Sequence, residues 1–193
     1  MSDKFPKSND RRVQRTRRTL RESLISLMLE RSCDEISVQD VCDKADVGRS
    51  TFYTHFADKE ELMAGGFEDL RRMLRAGLAE RPDGKVRLGF ARGMIDHAHD
   101  NQRLFRALVG KKSGQVVLRQ FRELVGSLVR EDLAATCVHG PAMDAAVHFI
   151  AGGFLDLLTW WLEARNPLQP PDIERLFLEM ARPAIGLVTN RIA

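Results

Sequence analysis

The segment Ser37 to Leu62, SVQDVCDKADVGRSTFYTHFADKEEL, limits the possible folds more than any other stretch. Ser37-Val-Gln-Asp40 is a capping box: the hydroxyl can accept from the backbone three residues on, and the carboxylate can reach back. A short helix follows, with Val38, Val41 and Cys42 on its inner side. Asp46 suits a tight turn, because aspartate tolerates the left-handed backbone better than most residues. A second short helix spans Arg49 to Phe56. Asp58 and Glu61 make another capping box, and a longer helix starts at Lys59. Upstream, from Arg15, Leu20, Leu24, Leu27 and Met28 recur at steps of three and four, giving one apolar stripe. Two short helices joined by a tight turn and backed by a third form a helix-turn-helix.

The remaining chain reads the same way. Helical patterns cover 59–80, 86–101, 103–110, 114–136, 142–164 and 172–190, with Pro82-Asp83-Gly84, Gly110 to Gly114, His139-Gly140-Pro141 and Asn166 to Pro171 as punctuation. Strand signals are weak, with no Asn-Gly hairpin turn. The fold class is therefore all-α. A basic, flexible arm (1–12) precedes a three-helix unit (13–62), and a larger helical body (63–193) follows.

Net charge is only +3 over 193 residues, but its distribution is uneven. Lys4, Lys7, Arg11, Arg12, Arg15, Arg17, Arg18 and Arg21 crowd the N-terminus, a plausible phosphate anchor or else a solvated tail. Cys33, Cys42 and Cys137 are odd in number, which argues against a disulfide framework and for buried thiols in a reducing cytoplasm. The charged N-terminus lacks the apolar core of a signal peptide. Ala142 to Leu162 is apolar, but Asp144, His148 and Asp156 interrupt it and argue against a membrane span.

The octet after Gly48 packs aromatics among small hydrogen-bonding residues. Phe52 and Phe56 lie four apart and, with Val47, can plug the second short helix into the three-helix core. The B-DNA major groove admits one helix, and the N-terminal end of that helix faces bases and phosphates. Arg49 suits guanine or phosphate. Thr51 and Thr54 offer a hydroxyl and a methyl. Tyr53 and His55 suit phosphate at the groove edges, although Tyr53 fits a core equally well. Lys59 sits at a helix start, where its charge opposes the dipole, and a bound phosphate would remove that conflict. The expected DNA contacts are Ser37, Gly48, Arg49, Ser50, Thr51, Tyr53, Thr54, His55 and Lys59.

These residues carry a resemblance. ISVQDVCDKADVGRSTFYTHFADKEEL, with RTRRTLRESLISLMLE before it, resembles the DNA-binding domain of the TetR family of transcriptional regulators, with TFY.HF..K..L as its most specific part. The resemblance implies a homodimer on a palindromic double-stranded operator, a recognition helix at 48–54, and a C-terminal domain that binds a small molecule. Two positions depart from the family pattern: Asp46, where many members have Gly, and Gly48, where many have Ser. Gly48 cannot cap the recognition helix with a hydroxyl, at a cost of only a few tenths, roughly, of a kcal/mol.

Past about residue 80 the resemblance fades to helix count and order. The 142–164 segment is apolar nearly all round, so it must be covered on more than one face. Gly152 and Gly153 permit close approach by another helix, and Trp161, Leu176 and Met180 complete an expected dimer interface. These two helices resemble the family's dimerisation pair, a four-helix bundle across a two-fold axis. Pro183 should kink or end the last helix. A ligand cavity among 86–136 and 142–164 would be lined by Met94, His97, Phe105, Leu108, Val117, Phe121, Phe149 and Trp160, a mostly apolar set suited to a flat hydrophobic effector. The same residues could instead simply fill a core. His97 and His99 are two apart and point to different sides of a helix, so no metal site is expected. No catalytic spacing appears, no cofactor is implied, and GKKSG (Gly110 to Gly114) misses the phosphate-loop pattern. The expected function is a cytoplasmic repressor relieved by an inducer. The alternative is a ligand-insensitive regulator whose body only dimerises or recruits a protein.

Overall fold

The computed structural model of the chain describes residues 7–76, 87–109, 114–134, 140–165 and 167–189. Among these there are only helices, turns and irregular segments, and no strand. In chain order the helices are α1 (Lys7–Glu30), a 3₁₀ turn (Cys33–Glu35), α2 (Val38–Ala45), α3 (Arg49–His55), α4 (Lys59–Ala76), α5 (Phe90–Asp100), α6 (Gln102–Val109), α7 (Gly114–Ala134), α8 (Pro141–Glu163) and α9 (Pro170–Thr189). The all-α expectation is met.

The first helix begins at Lys7, so residues 7–12, expected as a flexible arm, are helical; residues 1–6 lie outside the described residues. The reason is local. Apolar periodicity marks only the part of a helix that packs, whereas no Pro or Gly interrupts the chain from Lys7 to Glu30. Leu20, Leu24, Leu27 and Met28 are buried as the stripe requires.

The caps behave as the sequence indicates. Ser37 N donates to Asp40 Oδ2 at 2.8 Å, and Asp40 N donates to Ser37 Oγ at 3.2 Å. The Ser37 hydroxyl, which donates to the same carboxylate, then Arg31, 2.7 Å from Asp40, and the Ser37 N–H hold the Asp40 carboxyl well below the usual carboxylate range. Asp46 ends α2 in the left-handed conformation, φ 53° and ψ 48°. At α4, Glu61 N donates to Asp58 Oδ1 at 2.7 Å, while the Glu61 carboxylate accepts from Ala57 N rather than from Asp58.

In the body, α8 packs on α7 and α9, and α5 packs on α9. Phe90, Phe154 and Phe177 meet edge to face at its centre, with ring centroids 4.7 to 6.5 Å apart. Gly140, at φ 83°, turns the chain into Pro141 at the first position of α8. The helical pattern expected from residue 86 starts at Phe90. Ahead of it, Leu88 sits at φ 48° and donates its N–H to the buried Asp132 carboxylate at 2.5 Å. Helix α9 continues past Pro183 to Thr189, so of the two expected outcomes Pro183 does not end it. Pro183 lies on the exposed side, where water can satisfy the carbonyl it leaves unpaired.

The C-terminal half of helix α4 is tied on two sides. Arg21 of α1 pairs with Asp69. Arg71 and Arg75 hold Glu131 of α7 at 2.8 and 2.6 Å. By length and composition α8 could cross a membrane, but half of it is buried inside this fold. Cys33 and Cys42 are buried free thiols, with the thiol pKa raised chiefly by desolvation; Cys137 lies outside the described residues.

Candidate functional site

The head is built around two rings. Phe52 and Phe56 are almost fully buried, with centroids 5.9 Å apart, and Leu20, Leu24, Val41 and Cys42 complete the core around them. Arg17 of α1 stacks over Phe56 at 4.7 Å. That anchor fixes the rotation of α3. Gly48, Arg49, Ser50, Tyr53 and Thr54 are left exposed, with Thr51 and His55 half-buried beside them.

Several of these side chains have partners that sequence spacing did not reveal. Arg49 Nη2 donates to Tyr53 Oη at 3.2 Å, and the guanidinium lies 5.7 Å from the ring centre, so the two act as one unit. The hydrogen bond to Tyr53 raises the Arg49 pKa further. Tyr53 is 49% exposed, which places it outside the core. Thr54 Oγ1 donates to Ser50 O at 2.9 Å, so its hydroxyl is taken by its own helix. Ser37 Oγ donates to Asp40 Oδ2 at 2.6 Å within the capping box. Gly48 caps α3 with no side-chain bond.

Lys59 requires a correction. Its ammonium donates to Cys33 O at 2.6 Å and Ile36 O at 2.8 Å. The conflict with the α4 dipole is therefore resolved inside the protein by two carbonyls, and no phosphate is needed to explain this lysine.

The ligand expectations fare unevenly. A cavity of about 340 Å³ lies where α1 and α4 face α5, α6 and α7, at the junction of head and body. His97, Val117 and Phe121 line it, as do Leu104, Met28, Met63 and Phe67. Phe105 is buried behind it, between His97 and Phe121. Met94 is a fully buried core residue that does not line it. The side chain of Leu108 lies outside the described residues. Phe149 and Trp160 are 64% and 47% exposed and do not line this cavity, so that assignment is corrected. Helix α8 takes no part in the cavity; the residues from α1 and α4 were missed because they are far away in sequence. Burial lowers the His97 pKa, against a smaller opposing effect of Asp100. His97 packs on Phe105 and His99 stacks on Trp161, and no metal-binding cluster occurs among the described residues.

The expected roles of the two tryptophans are exchanged. Trp161, assigned to an interface, is fully buried, and its Nε1 donates to Leu168 O at 2.8 Å. Trp160 lies instead on the outer face with Phe149 and Gly153. Gly152 is half-buried, and a Cβ at either glycine would meet nothing. On α9, Met180 is 59% exposed, while Leu176 packs partly on the core.

A buried-anchor helix pair with an outward polar face, joined to a larger helical body, defines a helix-turn-helix DNA-binding transcriptional regulator. A family model described as bacterial regulatory proteins, tetR family, matches residues 22–65, and one described as transcriptional regulator C-terminal region matches 88–183. The chain belongs to the TetR family. A TetR transcriptional regulator from Streptococcus agalactiae has the same fold, with TM-score 0.64 and 27% identity over 90% of this chain and 97% of that one. NalD of Pseudomonas aeruginosa, the secondary repressor of the MexAB-OprM multidrug efflux pump, superposes at TM-score 0.55 with 18% identity, over 89% of this chain and 97% of its own. The HTH-type regulator YxbF of Bacillus subtilis is 40% identical over 58 residues, which is 30% of this chain and 15% of YxbF.

Proposed function

We propose that the protein is a homodimeric repressor that binds a palindromic operator through two copies of α3 and leaves it when a small apolar ligand enters the body. The observation that carries this reading is the rotation of α3. Its two phenylalanines are buried, and Arg49, Ser50, Tyr53 and Thr54 share the opposite face. Arg49, held by Tyr53, has its remaining N–H groups free for a guanine edge or a phosphate. The Thr54 methyl suits thymine, because its hydroxyl is already bonded. Ser50, Thr51 and His55 supply further donors at the groove. DNA as partner places the protein in the cytoplasm.

Dimerisation is supported by α8 and α9, on which Phe149, Trp160, Met180 and Leu187 are exposed, the first two on the face of Gly153. Apolar side chains in water on two adjacent helices suit burial against a second copy. A two-fold dimer would set the heads one helical turn apart, roughly 34–36 Å. Helix α4, tied to α1 and to α7, can transmit a change in the body to that spacing. Operator must then weaken ligand binding by the factor with which ligand weakens operator binding. NalD, with the same fold, acts as a repressor.

The test is competition between a palindromic duplex selected by the protein and bulk duplex DNA over a range of salt. A repressor prefers its operator by about a thousandfold or more. Equal affinity for both would reject the reading.

A further inference from the structure

The junction cavity carries a charge that its apolar lining obscures. Arg21 lines it, and its guanidinium pairs with Asp69. Asp69 is shared with Arg72, and Arg17 lies one turn away on α1. Burial, then the charges of Arg17 and Arg72, lower the Arg21 pKa, so Arg21 feels an excess of positive charge. Two guanidiniums, Arg21 and Arg72, thus share one carboxylate, with Arg17 as a third cation whose charge Arg21 feels. Arg21 Nε is moreover buried without a partner, so Asp69 does not exhaust the hydrogen-bonding capacity of this guanidinium. Asp69 and His97 also line the cavity, and most of the remaining lining is hydrocarbon and aromatic, with Met28, Met63, Phe67, Val117 and Phe121.

From this arrangement we infer that the effector binds at the junction of α1 and α4 with the body, and that it is a small apolar acid with its anionic head at Arg21. The inference rests on the reading of the protein as a ligand-released regulator and gives that ligand a place and a chemical class. An anion at Arg21 competes with Asp69 for the guanidinium and so loosens the link between α1 and α4. The apolar end presses on Leu24 and Met28, which lie on the helix that holds α2 and α3. The ligand therefore touches the head directly.

Two fluorescent probes with the same rings separate charge from shape: 1-anilinonaphthalene-8-sulfonate and the uncharged N-phenyl-1-naphthylamine. Both are titrated into the full chain and three variants. Gly66 lines the cavity, and a Cβ there meets nothing within 4 Å, so Gly66→Leu starts without a clash, occupies cavity space and favours the helix. The sulfonate should bind the unaltered chain about tenfold tighter than the neutral probe, or 1.4 kcal/mol. Arg21→Met should abolish that difference, Gly66→Leu should weaken both probes about tenfold or more, and Arg175→Gln, exposed on α9 away from the cavity, should change neither. Equal binding of the two probes to the unaltered chain, or binding indifferent to Gly66→Leu, overturns the inference. Should that happen while the chain still selects its palindrome, the site is wrong and the regulator reading stands. A chain with no palindrome preference removes the regulator reading, whichever way the probes bind.

Discussion

The outer faces of α3 and of α8 both expose aromatic side chains held from behind by buried ones, yet they suit different partners. On α3, Phe52 is buried and Tyr53 is outside; on α8, Trp161 is buried and Trp160 is outside. The exposed ring on α3 ends in a hydroxyl, accepts from Arg49 and stands among hydroxyls and an imidazole. Such a surface loses little on staying wet and matches a hydrated polyanion. The exposed rings on α8 share a face with Gly153 and with Asp156. Apolar rings in water gain from being dried by another apolar surface. The first face suits a nucleic acid, and the second suits an apolar protein surface.

Substitutions can separate the two faces. The largest effect should come from Phe52→Ala, which empties the centre of the head and costs about 3–5 kcal/mol. Calorimetry should show the head melting early while the body stays assembled; a single unshifted transition would mean the head is not held this way. Next, Trp160→Glu places a charge on the α8 face, and dimer affinity should fall by about 2–4 kcal/mol of association energy. Sedimentation velocity should show a lighter species with unchanged helicity.

Smaller effects probe the α3 face. Arg49→Ala should cost about 1–3 kcal/mol of discrimination at one base pair. Because Arg49 and Tyr53 form one unit, the double variant with Tyr53→Phe should cost less than the sum of the two. An additive cycle would show that they act apart. Lys59→Met should lower stability by about 1–3 kcal/mol, since it leaves two carbonyls unpaired. The slope of operator affinity against salt should stay as it was, and a shallower slope would return Lys59 to the phosphates.

What could be read from the sequence tracks the distance between the residues that cooperate. The Ser37 capping box, the left-handed Asp46 and the inward Phe52 and Phe56 are set within a few residues of one another, and each was legible. The Lys59 bonds to Cys33 and Ile36 were not, because they cross a loop whose path no local pattern fixes. The α8 helix misled for a different reason. It is apolar nearly all round, so periodicity could not decide which tryptophan faces in, and one step of 100° exchanged Trp160 and Trp161. The cavity was the least legible feature, since α1, α4 and α7 supply its walls from segments far apart in the chain. Ile25 and Met73, apolar residues left exposed near it, were the available signal.

The most direct measurement is selection of duplex DNA from a random pool by the purified protein, with the mass of the selected complex read alongside. The expected winner is a palindrome whose half-sites lie about one helical turn apart, roughly 10 base pairs, bound by a two-fold pair of chains. A pool that stays unenriched, or an asymmetric site bound by a single chain, would contradict the account.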